Sequence, residues 1–449
     1  MEKKKLAEIL FEKGKRLGFE DMEVFIKSTT NFDLKIFKKE IDKYSISNQE
    51  GLSFRGIYNG KMGYSYTEKV DETSIDILVE EAINNAKVID SDDEEIIYEG
   101  SEEYKEVCTY NKDLENISKE EKIQFALKLE EEALNLDDRV ETVNHCSFGE
   151  TSEYSLIMNT KGLELENKSN MALAYVSVKV KDGDDIKTAG KHIISNDFSK
   201  FDAKKLAKEA VNEAISLLSA ESIKSGEYQT ILRNDVSASI LEAFTSIFSA
   251  ESVQKGLSLL KDKLNEKVSS SLITIIDDPF MEEGISSTGF DGEGVATKYK
   301  KLIDKGVLKT FLHSLKTAKK DGVESTGNGF KGYKSSVVIS PTNMYIEKGK
   351  SSFEDMLKGV KEGILIIDVQ GLHSGLNTVS GDFSLSAQGY LIENGEITRP
   401  INQITIAGNY FEVLNDVDEV SNDLDFILPS GGYIGSPSLK IKRLSVAGK

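Results

Sequence analysis

Ser219-Ala-Glu-Ser-Ile-Lys-Ser-Gly226 is the stretch on which the fold turns, because composition changes across it. All five prolines (Pro279, Pro341, Pro400, Pro429, Pro437) lie beyond it, and only 12 of the 35 glycines precede residue 231. Gly and Pro punctuate turns, so residues 226–449 read as a β-rich C-terminal domain with one helix near 236–250. Residues 1–225 read as helices alternating with strands, an N-terminal α/β domain. The fold class expected is α+β.

The front half carries the pattern of a diverged internal repeat, over 1–90 and 115–220. In the first copy a helix near 4–18 precedes alternating runs near 21–28, 31–38 and 41–48. A hairpin turning at Asn59-Gly60 and a helix near 72–88 complete it. Ile75, Leu78, Val79, Ala82, Ile83 and Ala86 share one face of that helix. The second copy offers a helix at 119–135, strands near 139–148 and 152–159, and a hairpin at Asp182-Gly183. A helix at 203–219 closes it. Asn-Gly and Asp-Gly tolerate the positive φ of tight hairpin turns. Between the copies, Asp92-Asp-Glu-Glu95 with Glu99, Glu102, Glu103 and Glu106 reads as a solvated acidic linker, since no Gly-containing oxygen-ligand loop accompanies it.

Beyond residue 226 the local signals are turns. Asn394-Gly395 inside Tyr390-Leu-Ile-Glu-Asn-Gly-Glu-Ile397 marks a hairpin. Gly327-Asn-Gly-Phe-Lys-Gly332 matches G-x-G-x-x-G, but a dinucleotide site needs a helix after the turn, and Val337-Val338-Ile339 reads as a strand. Asp277-Asp278 and the Asp423/Asp425 pair are expected by chance among 76 acidic residues.

Lys and Arg total 56 against those 76 acids, a net charge of −20. That acidity argues against nucleic acid or an anionic membrane as partner, because phosphate binding needs a basic footprint. Two cysteines read as thiols of a reducing compartment, and the absence of a long apolar run adds to the expectation of a cytoplasmic protein. The four histidines (His145, His192, His313, His373) stand apart in sequence. No H-E-x-x-H, C-x-x-C or G-x-S-x-G is present.

The phrases Ile276-Asp-Asp-Pro279, Phe290-Asp-Gly-Glu-Gly294, Ser325-Thr-Gly-Asn328, Ser380-Gly-Asp-Phe-Ser384, Ile392-Glu-Asn-Gly395 and Pro437-Ser-Leu-Lys-Ile-Lys442 follow one another in the C-terminal half. Together with Gly51-Leu-Ser-Phe-Arg-Gly56 in the front half, their order resembles the TldD/PmbA family, the modulators of DNA gyrase. That resemblance implies a heterodimeric metallopeptidase acting on small or unfolded peptides. In the TldD branch a helix carries His-Glu-x-x-x-His and a Cys near the C-terminus completes a zinc site; the TldE/PmbA branch lacks these ligands.

Laid on the expected helix, the motif puts Leu241 and Ser246 at the two His positions and Glu242 at the position of the general base. Leu428-Pro-Ser-Gly-Gly-Tyr-Ile-Gly435 holds no Cys. The resemblance therefore implies a TldE/PmbA-type subunit that binds no metal itself and supports proteolysis by a TldD-type zinc subunit, as a heterodimer, with a homodimer as the other option. Asp291, Glu293, Asn328 and Asp382, in the phrase-bearing loops, are the candidates for contact with peptide. Two alternatives stay open: a non-enzymatic modulator that binds a folded partner such as DNA gyrase, and a stand-alone hydrolase using His313 or His373.

Overall fold

The computed structural model describes residues 3–90 and 96–449; the acidic run Asp92–Glu95 falls outside them. The front half begins with α1 (Lys3–Arg16), β1 (Phe19–Phe37), β2 (Glu40–Tyr58), β3 (Lys61–Thr67) and α2 (Ile75–Val88). It continues with α3 (Lys112–Asn116), α4 (Lys119–Asn135), β4 (Val140–Asn159), β5 (Glu164–Asp182), β6 (Asp185–Ser195) and α5 (Ala203–Ser216). The strands form one antiparallel sheet in the order β3-β2-β1-β4-β5-β6. A helix, three antiparallel strands and a helix thus occur twice, and β1 pairs with β4 where the units meet.

The strands are longer than the sequence implies. The runs near 21–28 and 31–38 are one strand, as are those near 139–148 and 152–159. Thr29-Thr-Asn31 looks like an interruption because it is polar. It stays extended because β2 and β4 hydrogen-bond it from both sides, Thr29 lying opposite Gln49 and Glu153. The polar middle of β1 is the seam between two helix pairs. Leu6, Leu10, Val24, Ile26, Phe54 and Val79 pack at one end of the sheet. Phe32, Leu34, Ile36, Leu129, Val176 and Leu206 pack at the other. Asn59 and Gly60 take positive φ (49° and 75°) in the expected hairpin turn.

In the second half β7 (Gly226–Leu232) pairs in parallel with Glu362–Gln370 and antiparallel with the C-terminal strand Leu439–Ala447. Glu362–Gln370 pairs with Asp382–Glu393, and that strand with Glu396–Asn409 across the turn at Asn394-Gly395. Glu396–Asn409 returns to Leu439–Ala447, so the five strands close into a ring. A second sheet brings Ile275–Asp277, Lys300–Asp304, Asn343–Ile346 and Tyr433–Ser436 alongside one another, with short strands at its edges. Between these layers sits a core that includes Ile240, Phe244, Ile364, Leu385, Ile406 and Ile441.

The helix expected at 236–250 is three pieces: α6 (Asn234–Ala243), a 3₁₀ turn (Thr245–Phe248) and α7 (Ala250–Gln254). Thr245 Oγ1 donates to the Glu242 carbonyl at 2.9 Å, which draws the chain off the α-helical path. Phe244 is fully buried, stacked on Tyr410 at 4.4 Å between ring centroids. Further short helices, Leu315–Asp321, Phe353–Lys358 and Tyr410–Asn415, occupy sequence read as β. Each opens on a side chain that caps its first turn: Ser314, Ser352 and Asn409. Within Gly327–Gly332, Gly329-Phe330 pairs with Val338-Ile339, so strand rather than helix surrounds the glycines.

A hydroxyl-lined cleft and a buried charge cluster

The 3₁₀ turn after α6 and the loop before the strand Tyr433–Ser436 face each other across a cleft of about 470 Å³. Its walls carry six hydroxyls, from Thr245, Ser246, Ser249, Ser252, Ser340 and Ser430, with Glu242 and Glu251. Leu312, Val338, Ile339 and Ile434 supply apolar surface. Ser430 Oγ donates to Glu242 Oε1 at 2.6 Å, joining the helix to the C-terminal loop. Two regions singled out in the sequence therefore share one cleft. Leu241 does not belong to it: that side chain is fully buried in the core, while Ser246 is on the wall.

One wall rests on a buried polar network. Asp277 accepts from the Thr342 N–H (2.7 Å) and hydroxyl (2.8 Å) through Oδ1. Through Oδ2 it accepts from Lys300 Nζ (2.8 Å) and Asn328 Nδ2 (2.9 Å). Asn328 takes a second bond from Lys300 at 2.9 Å and donates to the Ser340 carbonyl at 2.9 Å. Asn328 is fully buried, so in this chain it braces the Ser340 wall instead of facing the cleft. Such satisfied networks fix one arrangement, because any unpaired member is costly at low dielectric.

Asp291 and Glu293 are also buried, in a loop pressed against the first domain. Asp291 accepts the N–H groups of Glu293 (2.9 Å), Val295 (3.0 Å) and Gly329 (2.8 Å). Glu293 Oε2 accepts the Leu315 N–H at 2.8 Å, at the start of the helix Leu315–Asp321. Across the domain boundary, Glu23 of β1 takes two bonds from Arg55 of β2, at 2.8 and 3.0 Å, and one from Lys331. Burial raises the Asp291 carboxyl to about 7, helped by the Glu293 charge and opposed by the three backbone donors. Burial raises Glu293 as well. Glu23 lies below the usual carboxylate range: burial is the largest single effect and works upward, but Arg55 and Lys331 together outweigh it.

Asp382 is exposed, away from the cleft walls, and accepts from Asn409 Nδ2 at 3.0 Å. The side chain of Asn409, then that of Ser380, holds its carboxyl below the ordinary range. His313 is buried with Nδ1 unpartnered, and desolvation lowers its imidazole pKa. His373 is exposed. A second cleft of about 730 Å³ lies between the domains, beside His192 and Arg233. There Arg233 is already saturated by Glu213 (2.5 Å), Asp235 (2.6 Å) and the Ile367 carbonyl (2.8 Å). Glu23 was not legible as a site residue, since a single charge in an alternating run reads as solvent-facing, and Lys331 was passed over inside the Gly327–Gly332 match. Arg55 stood inside a quoted phrase, and that was its only signal.

A repeated α-β-β-β-α unit joined to a closed five-stranded ring defines a two-part protein in which three recognisable phrases, around Asp277, Asp291 and Asn328, gather at the junction of the halves and beside the adjoining cleft. In succession it matches PmbA/TldA metallopeptidase domain 1 over residues 22–86, the central domain over 112–218 and the C-terminal domain over 225–448. The chain belongs to the PmbA/TldD metallopeptidase family. A solved structure of a candidate modulator of a DNA gyrase from Thermotoga maritima shares 34% identity, with a TM-score of 0.91 over 99% of this chain and 100% of that one. TldE from Thermococcus kodakarensis shares 25% identity, with a TM-score of 0.91 and the same coverage. Among relatives, the metalloprotease PmbA homolog of Haemophilus influenzae is 27% identical over 90% of this chain and 88% of its own.

The family's name implies a metal in its members, with zinc the expectation. The cleft donors do not suit one. Hydroxyls and two carboxylates lack the nitrogen and thiolate ligands that hold zinc, and Ser430 already occupies Glu242. Among the described residues, no three His, Cys, Asp or Glu side chains are grouped to hold a metal ion.

Proposed function

We propose that this chain is the PmbA/TldE-type subunit of a peptidase pair, shaping the path of small or unfolded peptides without a zinc site of its own. The observation that carries the reading is the cleft itself, where the family helix and the C-terminal loop meet with hydroxyls in place of metal ligands. A row of hydroxyls can serve the backbone of an extended peptide whatever its side chains, and the apolar wall accepts occasional large residues. Hydrolysis would come from a TldD-type zinc subunit, whose metal lowers the pKa of a bound water. Asp291, Glu293 and Asn328 then act by holding loops in place, while exposed Asp382 is free to meet peptide or the partner subunit.

Reconstitution tests this. Combining the purified chain with a TldD-type subunit from the same organism should give peptide cleavage that neither chain gives alone. Ser246→Phe, which fills the cleft, should raise KM severalfold with kcat little changed. Stoichiometric zinc in this chain alone, with chelator-sensitive cleavage, would overturn the proposal. The likeness to a candidate modulator of a DNA gyrase from Thermotoga motivates a second reading, a modulator that binds DNA gyrase. Capture of gyrase from the host, with no metallopeptidase partner, would favour it.

A further inference from the structure

Among the described residues, the interdomain cluster holds more carboxylates than cations. Glu23, Asp291 and Glu293 bring three carboxylates, against the two cations Arg55 and Lys331. The three carboxylates are buried: residue exposure is 1% for Glu23, 2% for Asp291 and 5% for Glu293. The side chains of Arg55 and Lys331 are 11% and 5% exposed. The cations hydrogen-bond to Glu23 and their charges also reach Glu293, whereas the Asp291 and Glu293 carboxylates accept from backbone N–H groups. A net buried charge at low dielectric is expensive, and the simplest relief is one proton on the acidic pair.

The cluster also sits where the domains grip each other. Tyr104, in the connector between the two units of the front half, donates to the Gly294 carbonyl at 2.7 Å, and Ser101 Oγ accepts the Ala296 N–H at 3.0 Å. Gly289 packs so closely that an added Cβ would stand 2.3 Å from the Lys105 carbonyl. Through Leu315, Glu293 reaches the segment that begins at Leu312 on the cleft wall.

We propose that the Asp291–Glu293 pair is a proton-operated latch: the domains dock with one proton on the pair, and losing it loosens the 289–297 loop from the first domain. The facing groups are Glu23 of β1, Arg55 of β2, Lys331 after Gly329-Phe330, and Tyr104 of the connector. The raised carboxyls set the direction. The Asp291 contribution to stability is complete below the ordinary carboxylate range, declines as pH rises, and is lost by the time pH passes about 7; Glu293, also raised, acts in the same direction. The latch does not depend on what the cleft binds.

Amide hydrogen exchange on the full chain, from about pH 5.5 to about pH 8.5 and corrected for intrinsic rates, tests it. Protection of peptides spanning 289–297 should fall roughly tenfold across that range, while β4–β5 peptides stay constant. Glu293→Gln keeps an oxygen for the Leu315 N–H and removes a charge, so its protection should be high and independent of pH. Asp291→Asn should do the same, and if it misfolds Glu293→Gln decides alone. A flat profile in the unaltered protein, or an unchanged pH dependence in Glu293→Gln, overturns the latch.

Discussion

Replacing Lys300 by Met tests whether the buried network under the cleft wall is built as described. The substitution removes donors to Asp277 (2.8 Å) and Asn328 (2.9 Å) at a site where the Asp277 side chain is fully buried. Stripping one partner from a buried ion pair costs about 3–5 kcal/mol. Three donors to Asp277 remain, from Thr342 (two) and Asn328, so the lower end, about 3 kcal/mol, is expected here. For a domain of this size that lowers Tm by about 6–12 °C. Scanning calorimetry on the single mutants Lys300→Met and Asp277→Asn and on the double mutant gives the decisive comparison. Asp277→Asn in the Lys300→Met background removes the stranded charge, so the double mutant should be more stable than the sum of the singles by about 1–2 kcal/mol. Additive losses, or a Lys300→Met melting point within about 1 °C of the parent, would refute the claim that this pair braces the wall.

Two further predictions concern the first domain. A Cβ at Gly63 would stand 2.1 Å from the Ala82 carbonyl oxygen, where α2 lies directly on β3. Gly63→Ala should therefore destabilise by about 2–3 kcal/mol, read as a Tm drop. Cys146 is buried, and desolvation, helped by the Glu130 charge, pushes its thiol up to about 12, whereas Cys108 is exposed. A thiol reagent near neutral pH should modify one cysteine in the native protein and two after denaturation.

The α+β character, the paired units of the front half and the three hairpin turns were legible because each has a local cause. Asn59-Gly60 and Asn394-Gly395 announce their turns by the φ values they tolerate. Thr29-Thr-Asn31 misleads because its extension comes from β2 and β4, which are distant in sequence. Helices of six or seven residues, such as Tyr410–Asn415, are too short to show a 3.6-residue period, and only their capping residues could have flagged them.

The candidate site divides along the same physical line. Glu242, Ser246 and the 428–435 loop could be named in advance because a family pattern fixes them in order along the chain. Asp291, Glu293 and Asn328 could be named too, but not what they face. A carboxylate between glycines reads alike whether it meets solvent, a peptide or the N–H groups of its own turn. Burial decides, and burial here is set by the docking of two domains, through Glu23 on β1 and Lys331 some 300 residues later. The phrases shared with the family therefore include positions that shape the junction as well as positions that could touch peptide. Substitutions at Asp291 should accordingly act on loop protection before they act on any cleft chemistry, whereas substitutions at Ser246 should do the reverse.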